Sequence, residues 1–208
     1  MMDAEDYAGA EALLTPTHQA HSELLGKSHP ETLVDGFNLI ALRFNRNDFQ
    51  AAKELALPQR AIYEEVLGSQ HQRTVRLGLL ISQIELGLEN PTVAEQEART
   101  CLEKAAQSLG PVHQHTLEAR GLLATALVAL ERLDEAESLA IQQYATTQEE
   151  FGESHNATAQ AVTLLFDVAE AKGDVEAMEK WFEKLKGSHF EDAARETLHK
   201  AKEIRTKE

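Results

Sequence analysis

The chain contains 208 residues, of which 42% are hydrophobic and 26% charged, so it is long enough to bury a core and too apolar for a disordered protein. Its formal net charge of −15 repels phosphate groups, which excludes nucleic acids and anionic membranes as favoured partners. The single cysteine excludes an internal disulfide, and no apolar run approaches the ~20 residues of a membrane span. We therefore expect a soluble, cytoplasmic protein.

A nine-residue phrase returns four times along the chain at a fixed interval. It reads LGKSHPETL from Leu25, LGSQHQRTV from Leu67, LGPVHQHTL from Leu109 and FGESHNATA from Phe151. Three of its positions recur every 42 residues, namely Gly26, Gly68, Gly110 and Gly152, then His29, His71, His113 and His155, then Thr32, Thr74, Thr116 and Thr158. A fixed period of about 20–50 residues is typical of a solenoid built from repeated units.

Within each period, two segments with helical spacing alternate with residues that interrupt a helix. In the first full period, apolar residues recur every three or four positions over 31–44. The polar stretch 45–48 interrupts this pattern, and a second helical pattern runs from Phe49 to Val66. We therefore predict a pair of helices in each period, and we call them the first and the second helix of a repeat.

The repeated phrase is predicted to join one helix pair to the next. Its glycine can adopt a left-handed backbone conformation and so end the second helix of a repeat. Its threonine stands where the following helix needs an N-cap, and Asp48, Asn90 and Asp174 stand at the starts of second helices. We interpret the histidine as a linker side chain that bonds the backbone or a helix end of a neighbouring repeat, rather than as a metal ligand or a catalytic base.

The helix pairs and their joins resemble the tetratricopeptide repeats of the kinesin light chain type. The first copy reads HPETLVDGFNLIALRFNRNDFQAAKELALPQRAIYEEVLG, and the third ends in RLDEAESLAIQQYATTQEEFG. The resemblance covers about residues 6–186. It implies an all-α fold, a right-handed alpha-alpha superhelix (a TPR solenoid) of antiparallel helix pairs.

The same resemblance predicts a single domain over 1–208. The segments that it defines are a half repeat at 6–26, four repeats at 27–68, 69–110, 111–152 and 153–187, and a C-terminal capping helix at 188–208. The half repeat is in register with second helices, so we expect the chain to be a piece of a larger protein.

The resemblance also implies that first helices line a concave groove. The groove residues that we single out are Asn38, Phe37, Ala41, Phe44, Asn45, Arg76, Leu79, Gln83, Leu86 and Thr125. Later first helices add smaller and more acidic positions, namely Glu118, Leu122, Val128, Gln160, Thr163, Leu164 and Asp167. Asn38 and Gln83 are expected to bind the backbone of a ligand, and Arg76 an acidic group. For the large apolar side chains, packing between repeats is the open alternative.

No motif of a known catalytic or metal site is present in the sequence. It contains no phosphate loop, no G-x-S-x-G and no H-E-x-x-H. His18 and His21 are three residues apart but have no cysteine or carboxylate at metal-ligand spacing, and Cys101 has no nearby histidine. We therefore expect a protein that is not an enzyme and that binds no cofactor or metal.

These observations favour a non-catalytic protein–protein interaction module that binds a peptide segment in the concave groove. The expected partner is a protein or peptide with acidic and apolar residues. One alternative is a regulatory or sensor segment of a larger signalling protein, such as a bacterial-type Ser/Thr kinase or a transcription regulator. Another alternative is a self-association scaffold, in which the half repeat at 6–26 docks on a second molecule.

Overall fold

The computed structural model describes residues 4–205, with side chains from Tyr7 onward. These residues form ten α-helices: α1 Ala4–Leu24, α2 Pro30–Asn45, α3 Phe49–Leu67, α4 Gln72–Gly87, α5 Pro91–Ser108, α6 Gln114–Ala129, α7 Leu133–Phe151, α8 Asn156–Lys172, α9 Val175–Leu185 and α10 Glu191–Arg205. The described part contains no strand. The predicted all-α fold of consecutive helix pairs is therefore confirmed.

The chain divides into two compact units, Met1–Leu109 and Gly110–Glu208. Unit 1 contains α1–α5 and unit 2 contains α6–α10, and within each unit every helix packs on the next one along the chain. Because the links between these helices are short, consecutive helices are antiparallel. The prediction of one domain over 1–208, whose first three and last three residues lie outside the described part, stays a prediction.

Small side chains allow the helices of a repeat to approach closely. Residues at one equivalent position of the second helices are almost fully buried, namely Ala52, Ala94, Ala136 and Met178. In unit 1, Tyr63 of α3 also donates its hydroxyl to the carbonyl oxygen of Leu33 in α2, at 2.8 Å. A buried phenol needs such a partner, so this bond fixes how α2 lies on α3.

The repeated histidine, and not the threonine, is the N-cap of each first helix. The Nδ1 atom of His29, His71, His113 and His155 accepts a hydrogen bond from the backbone N–H two residues later. The prediction of a threonine N-cap is therefore wrong. The threonine lies in the first turn, and its hydroxyl donates to the carbonyl of the phrase's glycine in three copies, Thr74, Thr116 and Thr158.

The repeated glycine ends the second helix, as predicted, but with a backbone geometry that was not predicted. Gly68 has φ 88° and ψ 155°, and Gly152 has φ 82° and ψ 170°. These values lie outside the left-handed helical region and inside a region that only glycine adopts without strain. At these two glycines the chain therefore leaves the helix in an extended direction and reaches the histidine cap within three residues.

The predicted caps of the second helices are correct in one case of three. Asp174 accepts a hydrogen bond from the backbone N–H of Ala177 at 3.0 Å. Asp48 and Asn90 precede α3 and α5 but make no cap bond, so these two predictions are wrong. The side-chain N–H of Asn90 instead donates to Glu85, at 3.1 Å, so this side chain does not cap α5.

Candidate functional site

The predicted groove residues of α2 are partly free and partly packed. Asn38 and Asn45 are exposed, and Ala41 is half-buried against the core of unit 1. Phe44 lies against Phe49, with ring centroids 5.6 Å apart. Much of the surface of Phe44 is therefore used in packing, and the two asparagines are the free polar groups among these four predicted residues.

On α4, the predicted groove residues range from exposed to fully buried. Arg76 is exposed, and its guanidinium carbon lies 4.4 Å from the ring centroid of Phe37, which is half-buried. Gln83 and Leu86 are half-buried. Leu79 is only 1% exposed, so it has no free surface for a partner, and we leave it out of the proposed site.

Several arginines of unit 1 are paired with carboxylates. Arg43 and Arg46 both form ion pairs with Glu11. One guanidinium nitrogen of Arg60 lies 2.7 and 2.8 Å from the two carboxylate oxygens of Glu97, and this hydrogen bonding raises the pKa of Arg60. Positive charge is therefore partly neutralised in the unit where the sequence suggested an acidic ligand.

One pocket of unit 2 lies between α6 and α8 and has a volume of about 710 Å³. The α6 side consists of Gln114, Leu117, Glu118, Gly121, Leu122 and Thr125. The α8 side consists of Asn156, Ala157, Gln160, Thr163, Leu164 and Asp167. Both sets follow steps of one, three and four residues, so each helix presents one face to the pocket. We call this the α6–α8 groove. A second pocket of unit 2, of about 890 Å³, is lined by residues from Glu170 to Arg205 and contains none of the predicted groove residues.

The structure brings together most of the groove positions predicted on the later first helices. Thr125 is the one residue of the ten singled out first that lines the α6–α8 groove. Six of the further positions line it as well, namely Glu118, Leu122, Gln160, Thr163, Leu164 and Asp167, whereas Val128 does not. The predicted face is therefore present, and it forms a pocket in unit 2.

Ten lining residues were missed in the sequence. Five lie on the first helices α6 and α8, namely Gln114, Leu117, Gly121, Asn156 and Ala157. The other five lie outside first helices, namely Val112, Gln143, Phe151, His155 and Phe190. The sequence signal that could have identified Gln143 is its register with Gln59, whose side-chain N–H donates to the carbonyl of Leu33 at 2.8 Å. Gln143 is only 4% exposed, and its Oε1 atom is buried without a hydrogen-bond partner among the described residues.

The charged groups that line the groove are acidic. A carboxylate oxygen of Glu118 lies 3.4 Å from Nδ1 of His115. Asp167 retains exposed surface, and partial loss of hydration, together with the nearby charge of Glu170, raises its pKa to about 6. Among the lining residues in the described part of the chain there is no lysine or arginine.

His155 has a structural role at one end of this groove. It caps α8 by accepting the N–H of Ala157 at 3.1 Å, and its ring stacks on Phe151 with centroids 4.5 Å apart. These contacts fix the position of the imidazole as part of the wall.

Unit 1 contains a smaller pocket of about 270 Å³ beside α1 and α2. His21 and Asp35 line it and are paired at 2.6 Å, and Arg73 lies at its edge. Across the described residues, no group of three or more histidine, cysteine or acidic side chains could hold a metal ion. No helix in that part of the chain is long and apolar enough to span a membrane.

Comparisons with known proteins agree with this architecture. Residues 116–157 match the tetratricopeptide repeat family. A comparison of the sequence with curated proteins finds no match. The chain is similar to the crystal structure of a kinesin light chain candidate from Podosopora anserina with nearly identical TPR-like repeats, at a TM-score of 0.73 and 20% identity over 98% of this chain and 89% of that chain. A single-substitution variant of the same description has a TM-score of 0.75, at 20% identity over 98% and 88%.

A third similar structure is BtubC (BKLC) from P. vanneervenii, with a TM-score of 0.62 and 14% identity over 99% of this chain and 92% of that chain. The predicted resemblance to tetratricopeptide repeats of the kinesin light chain type is confirmed by the repeat match and by these folds. This fold commonly mediates protein–protein interaction and is typically non-catalytic.

Proposed function

We propose that the protein is a non-catalytic interaction module that holds an extended peptide segment of a partner in the α6–α8 groove. The observation that supports this proposal is that predicted ligand-facing positions of two first helices line one open pocket of about 710 Å³. Pockets of about 300–1,000 Å³ with apolar walls and a few convergent polar groups are typical of binding sites. A cytoplasmic location remains a prediction from composition.

Two kinds of lining residue support peptide binding in particular. Leu117, Leu122 and Leu164 provide apolar surface for side chains. Gln114, Asn156 and Gln160 provide amides that can both donate to and accept from a peptide backbone, as Asn38 and Gln83 were expected to do in unit 1. These six residues form the proposed binding surface.

A blocked groove and a matched control test the proposal. Thr125 lines the groove and Thr100 does not, yet both are exposed helical threonines whose hydroxyls donate to the carbonyl four residues earlier. Peptides selected from a random displayed library against the wild type are titrated against Thr125→Trp and Thr100→Trp by fluorescence polarisation. We expect a more than tenfold loss of affinity in Thr125→Trp alone. Equal binding by the two variants, or a library that yields no binder, would contradict the proposal.

Self-association is a second candidate, and one observation favours it. The side chains of Leu13 and Leu24 on α1 are 72% and 81% exposed, and large exposed apolar side chains on one helix are a common feature of docking surfaces. Light scattering of the wild type and of a Leu13→Glu, Leu24→Glu double variant tests it. The candidate predicts a concentration-dependent mass for the wild type only, and a constant monomer mass for both would exclude it.

A further inference from the structure

We propose that the α6–α8 groove is selective for an arginine side chain of the bound peptide, whose guanidinium pairs with Asp167. This inference rests on the proposed function, because it names the chemistry of the ligand at the same groove. Three features support it: the acidic lining, a buried acceptor without a partner, and apolar walls of the right kind for an arginine stem.

The first feature is the charge of the groove. Asp167 makes no hydrogen bond or ion pair with another described residue, and Glu118 is the other carboxylate in the lining. Because no lining lysine or arginine balances these charges, a cation from outside would find an unbalanced carboxylate. Because Asp167 retains exposed surface, a cation of a bound ligand can reach its carboxylate.

The second feature is the amide of Gln143 on α7. Its Oε1 atom is buried without a partner in a residue that is 4% exposed and that lines the same groove. A buried acceptor without a donor is unfavourable, so a shift of the Gln143 side chain that brings its Oε1 within reach of a ligand in the groove favours a ligand that supplies N–H groups. A guanidinium has five N–H donors and no acceptor, which distinguishes it from a carboxylate, a hydroxyl or a phosphate.

The third feature is the apolar part of the groove lining. Leu117 and Leu164 are 7% and 9% exposed, and Phe151 and Phe190 are two further apolar members of the lining. Arginine buries its three-methylene stem along such surfaces while its charged end contacts polar groups. The groove thus matches both parts of the side chain.

The charged groups near Asp167 determine how binding of a cation depends on pH. Glu118 of α6 and Glu170 on the same helix are acidic, and His155 is the basic residue among the lining groups in the described residues. The lining residues from α7 and the turn before α10, Gln143, Phe151 and Phe190, have no charge. Acidification neutralises Asp167, whose pKa is raised to about 6, and therefore weakens the binding of a cation.

The test uses two small probes that share a shape and differ in charge, N-acetyl-arginine amide and N-acetyl-citrulline amide. Both are titrated into the full chain at millimolar concentration, and the backbone amide signals of Gly121 and Ala157, which line the groove, are followed by NMR. We expect the arginine probe to shift these signals at concentrations at least fivefold lower than the citrulline probe. Asp167→Asn should remove that preference while its spectrum retains the dispersion of the folded chain.

A control variant separates the local charge from the net charge. Asp192→Asn removes one carboxylate from the same unit, at a side chain that is 94% exposed and outside the groove, and it should leave the preference unchanged. Between about pH 7.5 and about pH 5, affinity for the arginine probe should fall about tenfold, because Asp167 passes from mostly ionised to about nine-tenths protonated. In Asp167→Asn this fall should be smaller, because the carboxylate at this position is absent.

Equal binding of the two probes, or an arginine preference that survives in Asp167→Asn, would overturn the inference. These results are distinguishable from failure of the proposed function. If displayed peptides bind and Thr125→Trp abolishes their binding, but they show no arginine preference, the groove is a peptide site of another specificity. If the arginine probe binds at the groove but no peptide does, the groove is selective for the cation, and the proposed function as a peptide-binding module is wrong.

Discussion

The cap at His71 offers the most direct way to measure what the repeated histidine contributes. Its Nδ1 accepts the N–H of Arg73 at 3.1 Å, and its side chain is exposed, so His71→Ala removes the cap with little loss of packing. His113 and His155 are less suitable because they also contact other rings. Loss of a side-chain N-cap costs about 1 kcal/mol in the free energy of unfolding. With an m value of about 2 kcal/mol/M, the urea midpoint should fall by about 0.5 M.

Two companion variants determine whether the acceptor atom is responsible. Asparagine places its Oδ1 at the same number of bonds from Cα as Nδ1 of histidine, so His71→Asn should retain the stability of the wild type within a few tenths of a kcal/mol. His71→Gln moves the oxygen one bond further away and should behave like His71→Ala. Comparison of the alanine, asparagine and glutamine variants therefore tests the position of one acceptor atom at an exposed side chain.

Equal losses of stability in His71→Ala and His71→Asn would refute the reasoning. A His71→Gln variant as stable as the wild type would also refute it, because its oxygen lies one bond too far from Cα to cap α4.

Other predictions follow from single positions in unit 1. Gly68→Ala should destabilise the chain by about 1–3 kcal/mol, because φ 88° with ψ 155° strains any other residue although space for a Cβ is open. Gly9→Ala, inside α1 with equal space, should instead stabilise it by about 0.5–1 kcal/mol, and urea unfolding distinguishes the two signs. Lys53→Ala should cost about 3 kcal/mol, because Glu85 is 2% exposed, loses its charged partner at 2.8 Å and retains the neutral amide of Asn90. Adding Glu85→Gln should recover part of that loss in the same assay, and no recovery would contradict the pairing.

The repeat architecture could be predicted from the sequence because the period itself carries the information. The apolar pattern over 31–44 predicted a helix that the structure places at Pro30–Asn45, and the second pattern from Phe49 corresponds to α3. Helix pairs that pack only on their sequence neighbours require similar residues at similar intervals, so spacing alone reveals the units. Gly68 illustrates this, because its role as a helix end followed from position before any geometry was known.

The caps could not be predicted in the same way, because several side chains near a helix start compete for one N–H group. Threonine is a common N-cap, but here the hydroxyl of Thr74 donates to Gly68 and the imidazole of His71 takes the cap position. Asn90 is diverted to Glu85, which is buried and requires a donor. Such choices depend on contacts between helices that spacing does not specify.

The face of the first helices that lines a groove could be predicted from the sequence. The repeats in which that face forms a pocket could not. The same phase of the first helices was assigned in all repeats, but Leu79 is buried and Phe44 packs on Phe49. The pocket of unit 2 also depends on Gln143, which belongs to a second helix, and on Phe190, which precedes α10. Only packing in three dimensions brings these residues to α6 and α8.

The most direct test of the central claim is to map where a selected peptide binds. Hydrogen exchange of the chain is measured with and without a peptide from the displayed library, in the wild type and in Thr125→Trp. The account predicts that the peptide slows exchange in α6 and α8 of the wild type and leaves exchange unchanged in the variant. Protection confined to α2 and α4, or protection that persists in Thr125→Trp, would contradict the assignment of the α6–α8 groove as the binding site.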